Sequence, residues 1–275
     1  MSQELEQTHI TKKRVVYDIP GTDAVTVHRD VEYSETDAQS LTMDIYYPPD
    51  WKSGTRIPAV VFVTGYSDVG FKKMLGCRLK DMESYISWGR LTGATGMIAI
   101  TYSAVEPASD TTVLLQYVRQ NSASLGIDEN RIGVWACSGS VPNALALLMQ
   151  PSRDYLKCAV LSYGVMLDLE GHTSTADSAK MFGFVNPSAG KSVDDLSRDL
   201  PLFIARGGQD QMPHLNETLD RFLASALTCN LPITFTNHPT GPHAFDVMDD
   251  SETSREIIRQ ILAFMRFHLL AWRVS

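Results

Sequence analysis

The sequence is poor in cysteine, in uninterrupted hydrophobic stretches and in clustered positive charge, and each lack excludes a class of protein. Its few cysteines form no CxxC pair, and no histidine lies at zinc-finger spacing from them, so neither a disulfide framework nor a zinc finger is expected. No apolar stretch approaches the roughly 18 residues of a membrane-spanning helix. The cysteines, which we expect to be reduced and mostly buried, are Cys77, Cys137, Cys158 and Cys229.

The N-terminal residues and the charge balance indicate where the protein works and what it does not bind. Residues 1–15 are polar and lack the apolar core of a signal peptide, so the cytoplasm is the expected location. Lysine and arginine number 24 against 32 aspartates and glutamates, which gives a net charge of −8, and no basic run stands out. Nucleic acid and anionic membrane surfaces are therefore unexpected partners, whereas a homodimer remains open.

The composition is typical of a globular protein. Hydrophobic residues make up 44% and charged residues 20% of the 275 residues, close to the usual averages. A chain of this length buries a large core without disulfides or metals. We expect a polar segment over residues 1–20, lying loosely on the surface, followed by a single domain over residues 21–275.

Short strands alternate with helices along most of this domain. Residues 24–33 and 41–47 alternate in polarity and are rich in valine, threonine and tyrosine, which is typical of antiparallel strands. Continuous apolar runs, typical of parallel strands buried on both faces, follow at 59–63, 97–102, 132–136, 158–162, 202–205 and 233–235. Helices are predicted at 81–93, 111–123, 141–150, 214–228 and 253–271, with Asp110 capping the second and Thr253 and Glu256 forming a capping box on the last.

This alternation predicts an α/β fold, a mostly parallel sheet with helices on both faces. In such sheets the chemistry lies at the carboxyl ends of the strands. Residues 166–199 interrupt the alternation, because they form a long connection between two strands. We interpret them as a cap or lid over a site, and the alternative is a disordered surface insertion.

The segment after the run 132–136 has the layout of a nucleophile elbow, in which a strand ends at small residues and a helix begins. The sharp turn requires small residues two positions before and two after the nucleophile. With Ser138 as the nucleophile these positions hold Ala136 and Ser140, whereas Cys137 would place the bulky Trp135 there. We therefore favour Ser138, and an ordinary strand–helix turn that contains a serine is the alternative.

A serine nucleophile needs a histidine base and a carboxylate to orient that base. Asp210 lies in a glycine-rich loop after the run 202–205, although it could instead be a turn residue or cap the next helix. The loop after the run 233–235 contains two histidines, of which His238 is close to the strand and precedes a proline. We prefer His243, which lies nearer the C-terminal helix in a Gly-Pro-His-Ala-Phe turn.

Acyl transfer also needs hydrogen-bond donors for the oxyanion that develops in the reaction. One donor would be the amide of Gly139, directly after Ser138. The other would come from the loop after the run 59–63, where Gly65 lets the backbone approach a substrate and the Tyr66 amide follows. Alternatively, these residues simply form a turn that ends the strand.

The chain resembles the α/β-hydrolase family over about residues 31–270. The order Ser138, Asp210, His243 along the chain is that of this family. The likeness is greatest to the branch that holds dienelactone-hydrolase-like proteins, small carboxylesterases and prolyl-oligopeptidase-type catalytic domains. It implies an α/β-hydrolase fold, with an eight-stranded, mostly parallel sheet and a short cap insertion. The segments that carry the resemblance are 41–48, 57–63, 87–91, 96–102, 128–135, 201–210 and 241–245.

The chain departs from the family pattern in three respects. Thr64 precedes Gly65 where the family often has histidine, and Ala136 and Ser140 occupy positions where glycine is usual. Enzymes that hydrolyse dienelactones use a cysteine nucleophile, whereas this resemblance places Ser138 at that position, which argues against that activity.

These residues together predict a serine hydrolase that cleaves an ester of a small to medium, soluble substrate and requires no metal or organic cofactor. The alternatives are an amidase or peptidase with the same triad, a non-catalytic binding protein, and a metal enzyme using Asp210 and His214. The residues expected to line the substrate pocket are Tyr163, Met181, Phe182, Phe184, Met212 and Phe245, with Tyr66 and Phe71 as further candidates.

Overall fold

The computed structural model describes residues 9–35, 40–151 and 153–270, and its centre is an eight-stranded sheet. The strand order is β1-β2-β4-β3-β5-β6-β7-β8. Strand β2 is antiparallel to β1 and to β4, and the other neighbours are parallel. The strands are β1 (Thr26–Glu35), β2 (Ser40–Tyr47), β3 (Ile57–Phe62), β4 (Ile98–Tyr102), β5 (Ile127–Cys137), β6 (Leu156–Ser162), β7 (Leu202–Gly207) and β8 (Ile233–His238).

Helices cover both faces of this sheet, so that two hydrophobic clusters form, one on each side. The described helices are α1 (Asp68–Leu75), α2 (Glu83–Ala94), α3 (Pro107–Gln120), α4 (Ser122–Leu125), α5 (Val141–Leu148), α6 (Ser174–Phe182), α7 (Leu215–Thr228), α8 (Phe245–Met248) and α9 (Glu252–Leu270). Side chains of α3, α5 and α7 belong to one cluster, and those of α2 and α9 belong to the other. The cluster that contains α2 and α9 adjoins the candidate site.

All eight predicted strands are present, and the predicted α/β architecture is confirmed. Strands β3, β4, β6 and β7 are buried along almost their whole length and β5 is buried over residues 132–136, as their continuous apolar runs indicated. The run 233–235 was expected to be buried in the same way, but it lies in the edge strand β8, most of which is exposed or half-buried. Helices α2, α3, α5, α7 and α9 overlap the five predicted helices, although α3 begins at Pro107 and not at residue 111. Helices α1, α6 and α8 were not predicted.

The two predicted helix caps are wrong. Helix α3 begins at Pro107, whose fixed φ suits a first turn, and Asp110 lies inside that turn. Its carboxylate reaches back to accept from the amides of Val105 and Glu106, at 2.8 Å each. At the start of α9 the hydroxyl of Ser251, rather than that of Thr253, accepts from a backbone amide of the first turn, at 3.2 Å.

Residues 9–19 pack against the domain instead of lying loosely on it. The amide of Val15 donates to Ser87 Oγ at 3.0 Å, and the amide of Val16 donates to the carbonyl of Asp246 at 2.8 Å. This N-terminal segment is therefore attached both to α2 and to α8. Residues 1–8 of the predicted polar segment lie outside the described residues.

A buried ion pair attaches the segment between α1 and α2 to the sheet. Lys80 Nζ lies 2.8 Å from Asp44 Oδ1, and both side chains are essentially inaccessible to solvent. Asp30 adds a second, half-exposed carboxylate 3.0 Å from the same ammonium group. Within the described ranges, no helix combines the length and the apolar character needed to cross a bilayer.

Candidate active site

Ser138 lies at the carboxyl end of β5, in a strained turn that precedes α5. Its φ is +53°, a left-handed conformation that is uncommon for a residue other than glycine and typical of functional turns. Its Oγ is 3.0 Å from His243 Nε2. Ala136 and Ser140 are fully buried on either side of the turn, so the small flanking residues leave room for this backbone.

The thiol of Cys137, the residue before Ser138, has different surroundings from the Ser138 hydroxyl. Cys137 Sγ lies 3.7 Å from the hydroxyl of Tyr85 and not beside an imidazole. Burial raises the pKa of this thiol to about 12, with the Asp246 carboxylate acting in the same direction. A thiol in such surroundings stays protonated and is a weak nucleophile.

His243 and Asp210 complete a hydrogen-bonded row with Ser138. His243 Nδ1 donates to Asp210 Oδ2 at 2.7 Å, which leaves Nε2 to accept from the serine hydroxyl. The Asp210 side chain is fully buried, and its other oxygen accepts from the amide of Met212 at 2.9 Å. Gly208 allows this loop to approach the histidine loop, because a Cβ there would lie 2.5 Å from the carbonyl of Pro239.

His238, the other histidine considered as the base, lies away from Ser138. His238 is fully buried, and its Nε2 is 2.8 Å from Asp249 Oδ2 and 3.0 Å from Ser254 Oγ. These contacts join the end of β8 to the start of α9. His238 therefore holds the loop that carries His243 and does not reach Ser138.

The loop after β3 meets the elbow as predicted, but through a different atom of Tyr66. The Tyr66 amide donates to Thr64 Oγ1 at 3.1 Å. The Tyr66 hydroxyl reaches the turn instead, since a Cβ on Gly139 would lie 2.4 Å from it. Burial raises the pKa of Tyr66 to about 12, and a hydrogen bond with Ser138 opposes that rise.

Residues 166–199 lie against this loop. They contain α6, and the amide of Val185 donates to the carbonyl of Gly65 at 2.8 Å. The rings of Phe184 and Tyr66 meet edge to face, with centroids 6.0 Å apart. The segment therefore contacts the residues that surround Ser138 and is not a detached insertion.

A cavity of about 360 Å³ opens beside Ser138 and His243. Of the residues predicted to line it, Tyr66, Phe71 and Tyr163 do so. The cavity is mostly apolar, and its walls come from α1, α2, β5, α8 and the N-terminal segment. The lining residues that the sequence did not point to include Ile10, Leu79, Met82, Tyr85, Trp88, Trp135, Cys137, Asp246, Val247 and Met248.

The other five predicted pocket residues lie outside this cavity, because α6 and its surroundings fold onto the far side of Tyr66. Phe184, Phe182 and Met212 belong to a small cluster there with Val165 and Leu215. Phe245 is fully buried in the core beneath Tyr163, and Met181 is 62% exposed on α6. Side chains along a strand alternate between its two faces, so Trp135 and Cys137 lie on the same face of β5. This alternation was the signal in the sequence that could have identified the residues that line the cavity.

Asp246 is a buried carboxyl group at one side of the cavity. It accepts from the hydroxyl of Tyr163 and from the indole N–H of Trp88, at 2.7 Å each. Burial raises its pKa, and the two donors oppose that rise. Tyr163 has a φ of +35° and meets the ring of His243 edge to face, with centroids 5.2 Å apart. This arrangement fixes one side of the imidazole.

The pair proposed as metal ligands is not a site in this fold. Asp210 faces His243, whereas the partly exposed His214 lies 3.3 Å from Glu217 on α7. Across residues 9–35, 40–151 and 153–270, no group of three or more His, Cys, Asp or Glu side chains could hold a metal ion.

Comparison with known proteins gives structural neighbours only. No protein-family model and no curated protein matches the chain. The thermophilic esterase Est2 of the Planctomycetes species Thermogutta terrifontis aligns with a TM-score of 0.63 at 19% identity, over 93% of this chain and 97% of that one. The same esterase phosphonylated by sarin aligns with a TM-score of 0.60 at 18% identity, over 92% and 98%.

A truncated carbohydrate esterase from gut microbiota aligns with a TM-score of 0.60 at 15% identity, over 87% of this chain and 96% of that one. At such identities the likeness concerns the fold. Together with the strand order and the helices on both faces, it shows that this chain has the α/β-hydrolase fold.

Proposed function

We propose that the chain is a serine hydrolase that cleaves a carboxylic ester through an acyl-enzyme. The observation that carries this proposal is the continuous row from Ser138 Oγ to His243 Nε2 at 3.0 Å and from His243 Nδ1 to Asp210 Oδ2 at 2.7 Å. A nucleophile, a base and an orienting carboxylate at these distances are the parts that acyl transfer needs.

Each residue then has a defined role. Ser138 Oγ attacks the acyl carbon while His243 Nε2 takes the hydroxyl proton, and the Asp210 carboxylate stabilises the resulting imidazolium. The imidazolium gives that proton to the alcohol as the ester bond breaks. Water, deprotonated by His243, then attacks the acyl-enzyme, and the released serine oxygen recovers a proton from the same imidazole.

The oxyanion would be stabilised from the two segments that meet at the elbow. The Gly139 amide is one donor in this proposal, and Tyr66 supplies the other. We assign that role to the Tyr66 hydroxyl, because it reaches the turn while the Tyr66 amide is bonded to Thr64. Donors fixed in advance at such a position lower the barrier without reorganising during the reaction.

Three further features belong to the proposal. Residues 166–199 would act as a short cap, since Val185 and Phe184 pack on the loop that carries Tyr66. The likeness to the dienelactone-hydrolase and small carboxylesterase branch would hold with serine, not Cys137, as the nucleophile. The substrate would be a soluble, small-molecule ester handled in the cytoplasm.

Hydrolysis of p-nitrophenyl esters from acetate to decanoate tests this function. The wild-type chain and the exposed control variant Ser109→Ala should both turn over, and Ser138→Ala should not. Turnover by Ser138→Ala at the wild-type rate would refute the role of Ser138. A wild-type chain that cleaves p-nitroanilides faster than the matching esters would favour the amidase, and inactivity on both would favour a binding protein.

A further inference from the structure

The peptide between Thr64 and Gly65 is held on both sides by side chains of the elbow. Its carbonyl oxygen accepts from Asn143 Nδ2 at 2.7 Å, and its N–H donates to Ser140 Oγ at 3.0 Å. Thr64, Ser140 and Asn143 are each no more than 3% exposed, so these bonds are shielded from water. The orientation of this one peptide is therefore set by two residues that follow the proposed nucleophile, Ser138.

Ser140 and Asn143 reach this peptide together because they lie about one helical turn apart. Ser140 directly precedes α5 and Asn143 is the third residue of that helix, and residues three apart share one face of a helix. Asn143 Nδ2 also lies 3.0 Å from Thr111 Oγ1 and 3.1 Å from the carbonyl oxygen of Pro107, both on α3. The Asn143 amide group thus joins the loop after β3, the elbow helix and the start of α3.

Gly65 is the reason why this peptide needs to be held. A peptide next to glycine rotates more freely than others, because glycine has no Cβ to restrict its backbone. No other residue fits at this position without a shift of the backbone, since a Cβ on Gly65 would lie 2.4 Å from the carbonyl oxygen of Gly139. The close approach of the loop to the elbow therefore requires glycine, and Ser140 and Asn143 provide the restraint that a side chain at residue 65 would otherwise give.

The residue after this peptide is Tyr66, whose hydroxyl we assign to the oxyanion. The Tyr66 amide donates to Thr64 Oγ1 at 3.1 Å, and the same threonine hydroxyl donates to the Tyr66 carbonyl at 3.3 Å. Rotation of the preceding peptide would break these bonds and redirect the Tyr66 side chain. The rings of Phe71 and Phe184, with centroids 5.5 and 6.0 Å from that of Tyr66, restrain its ring, whereas the backbone sets how far its hydroxyl reaches towards Gly139.

We propose that Ser140 and Asn143 are positioning residues, which hold Tyr66 where its hydroxyl meets the oxyanion. The inference rests on the proposed ester hydrolysis and on the role of the Tyr66 hydroxyl in it. It also accounts for two departures from the family pattern, since the hydroxyls of Ser140 and Thr64 each bind a backbone amide of the loop. A donor fixed in this way does not have to reorganise as negative charge develops on the substrate oxygen.

The test measures kcat and KM for the p-nitrophenyl ester that the wild-type chain cleaves fastest. Asn143→Leu keeps the approximate shape of the side chain and removes the donor. Loss of an oxyanion donor costs about 100-fold or more in kcat, and because the ring contacts still restrain Tyr66 we expect about a tenfold fall for Asn143→Leu. KM should stay within about twofold, because the weakened interaction is made in the transition state. Asn121→Leu is the matched control, since the Asn121 amide donates to the Tyr117 carbonyl at the far end of α3 and its loss should leave kcat unchanged.

The same substitution in a Tyr66→Phe background separates positioning from general damage to the fold. If Asn143 acts through the Tyr66 hydroxyl, Asn143→Leu should lower kcat by less than about twofold once that hydroxyl is gone. An equal loss in both backgrounds, or a wild-type kcat for Asn143→Leu, would overturn the inference. If Asn143→Leu does not fold, Ser140→Ala decides by the same comparison, since it removes the acceptor of the Gly65 amide and keeps a small side chain.

Two further variants keep this outcome apart from a failure of the proposed function. Absence of ester hydrolysis that depends on Ser138, measured with Ser138→Ala, would refute the proposed function and this inference with it. A wild-type kcat for Tyr66→Phe would remove the hydroxyl from the reaction and overturn the inference, while ester hydrolysis by Ser138 would stand.

Discussion

A methyl group added at Gly65 should push the loop after β3 away from the turn that carries Ser138. A Cβ there would lie 2.4 Å from the carbonyl oxygen of Gly139 and 2.8 Å from Ser140 Cα, whereas ordinary contacts are 3.4 Å or longer. The loop after β3 and the elbow would have to move apart by about 1 Å, the difference between 3.4 and 2.4 Å. Neither neighbour is a flexible side-chain end, so the backbone itself must shift.

Such a shift would move the proposed oxyanion donor Tyr66 away from Ser138. The Gly65 amide, which donates to Ser140 Oγ at 3.0 Å, holds the loop against the turn and would be strained first. A misplacement of 1 Å in a catalytic arrangement costs about 100-fold in rate, so kcat/KM of Gly65→Ala should fall by about that factor. The free energy of unfolding should fall by about 1–3 kcal/mol, as for other overpacked sites.

The assay compares Gly65→Ala with Gly70→Ala, which lies in α1 after the same loop. A Cβ at Gly70 meets nothing within 4 Å, so this variant should keep its activity and gain about 0.5–1 kcal/mol of stability from the lower helix cost of alanine. Ester hydrolysis and thermal unfolding are measured for both. A folded Gly65→Ala protein with wild-type kcat/KM would refute the close approach of loop and elbow.

Three further results are expected. Lys80→Met leaves the inaccessible Asp44 without its nearest cation, so the free energy of unfolding in urea should fall by about 3–5 kcal/mol. Arg56→Met breaks an exposed ion pair and should lower it by only about 0–1 kcal/mol. Equal losses in the two variants would contradict the role of the buried pair. Burial raises the pKa of Asp68 from 3.8 to about 6, so the folded state binds the proton more tightly and stability falls as pH rises through that interval. Asp68→Asn should flatten this dependence in unfolding experiments, and an unchanged slope would count against it. Ile10→Ala enlarges the cavity and should move the preferred p-nitrophenyl ester to a larger acyl group, whereas an unchanged preference would show that the N-terminal segment is not part of the wall.

The sheet and the positions of the three proposed triad residues were predictable because strand ends carry their own chemical signals. Buried parallel strands need continuous apolar runs, and Ser138 and Asp210 follow such runs on β5 and β7. His243 follows a shorter run on the edge strand β8, most of which is exposed or half-buried. The elbow also had a steric signature, since Ala136 and Ser140 are small where the turn requires it.

The cavity wall was not predictable in the same way. Phe71 was named among the further pocket candidates, but helix α1, which carries it to the cavity, is short and was not predicted. The wall also depends on contacts between distant segments, such as the Val16 amide bonded to the Asp246 carbonyl. Trp135 entered the sequence argument only as a residue too large for the turn, whereas it is one of the residues that line the cavity beside Ser138.

The central claim is that Ser138 is an activated nucleophile, and reaction with a fluorophosphonate probe tests it most directly. Intact mass and peptide mapping would be compared for the wild-type chain and Ser138→Ala. We expect a single phosphonyl adduct on the wild-type chain, in the peptide that contains Ser138, and no adduct on the variant. An unlabelled wild-type chain, or a variant labelled to the same extent, would contradict the account.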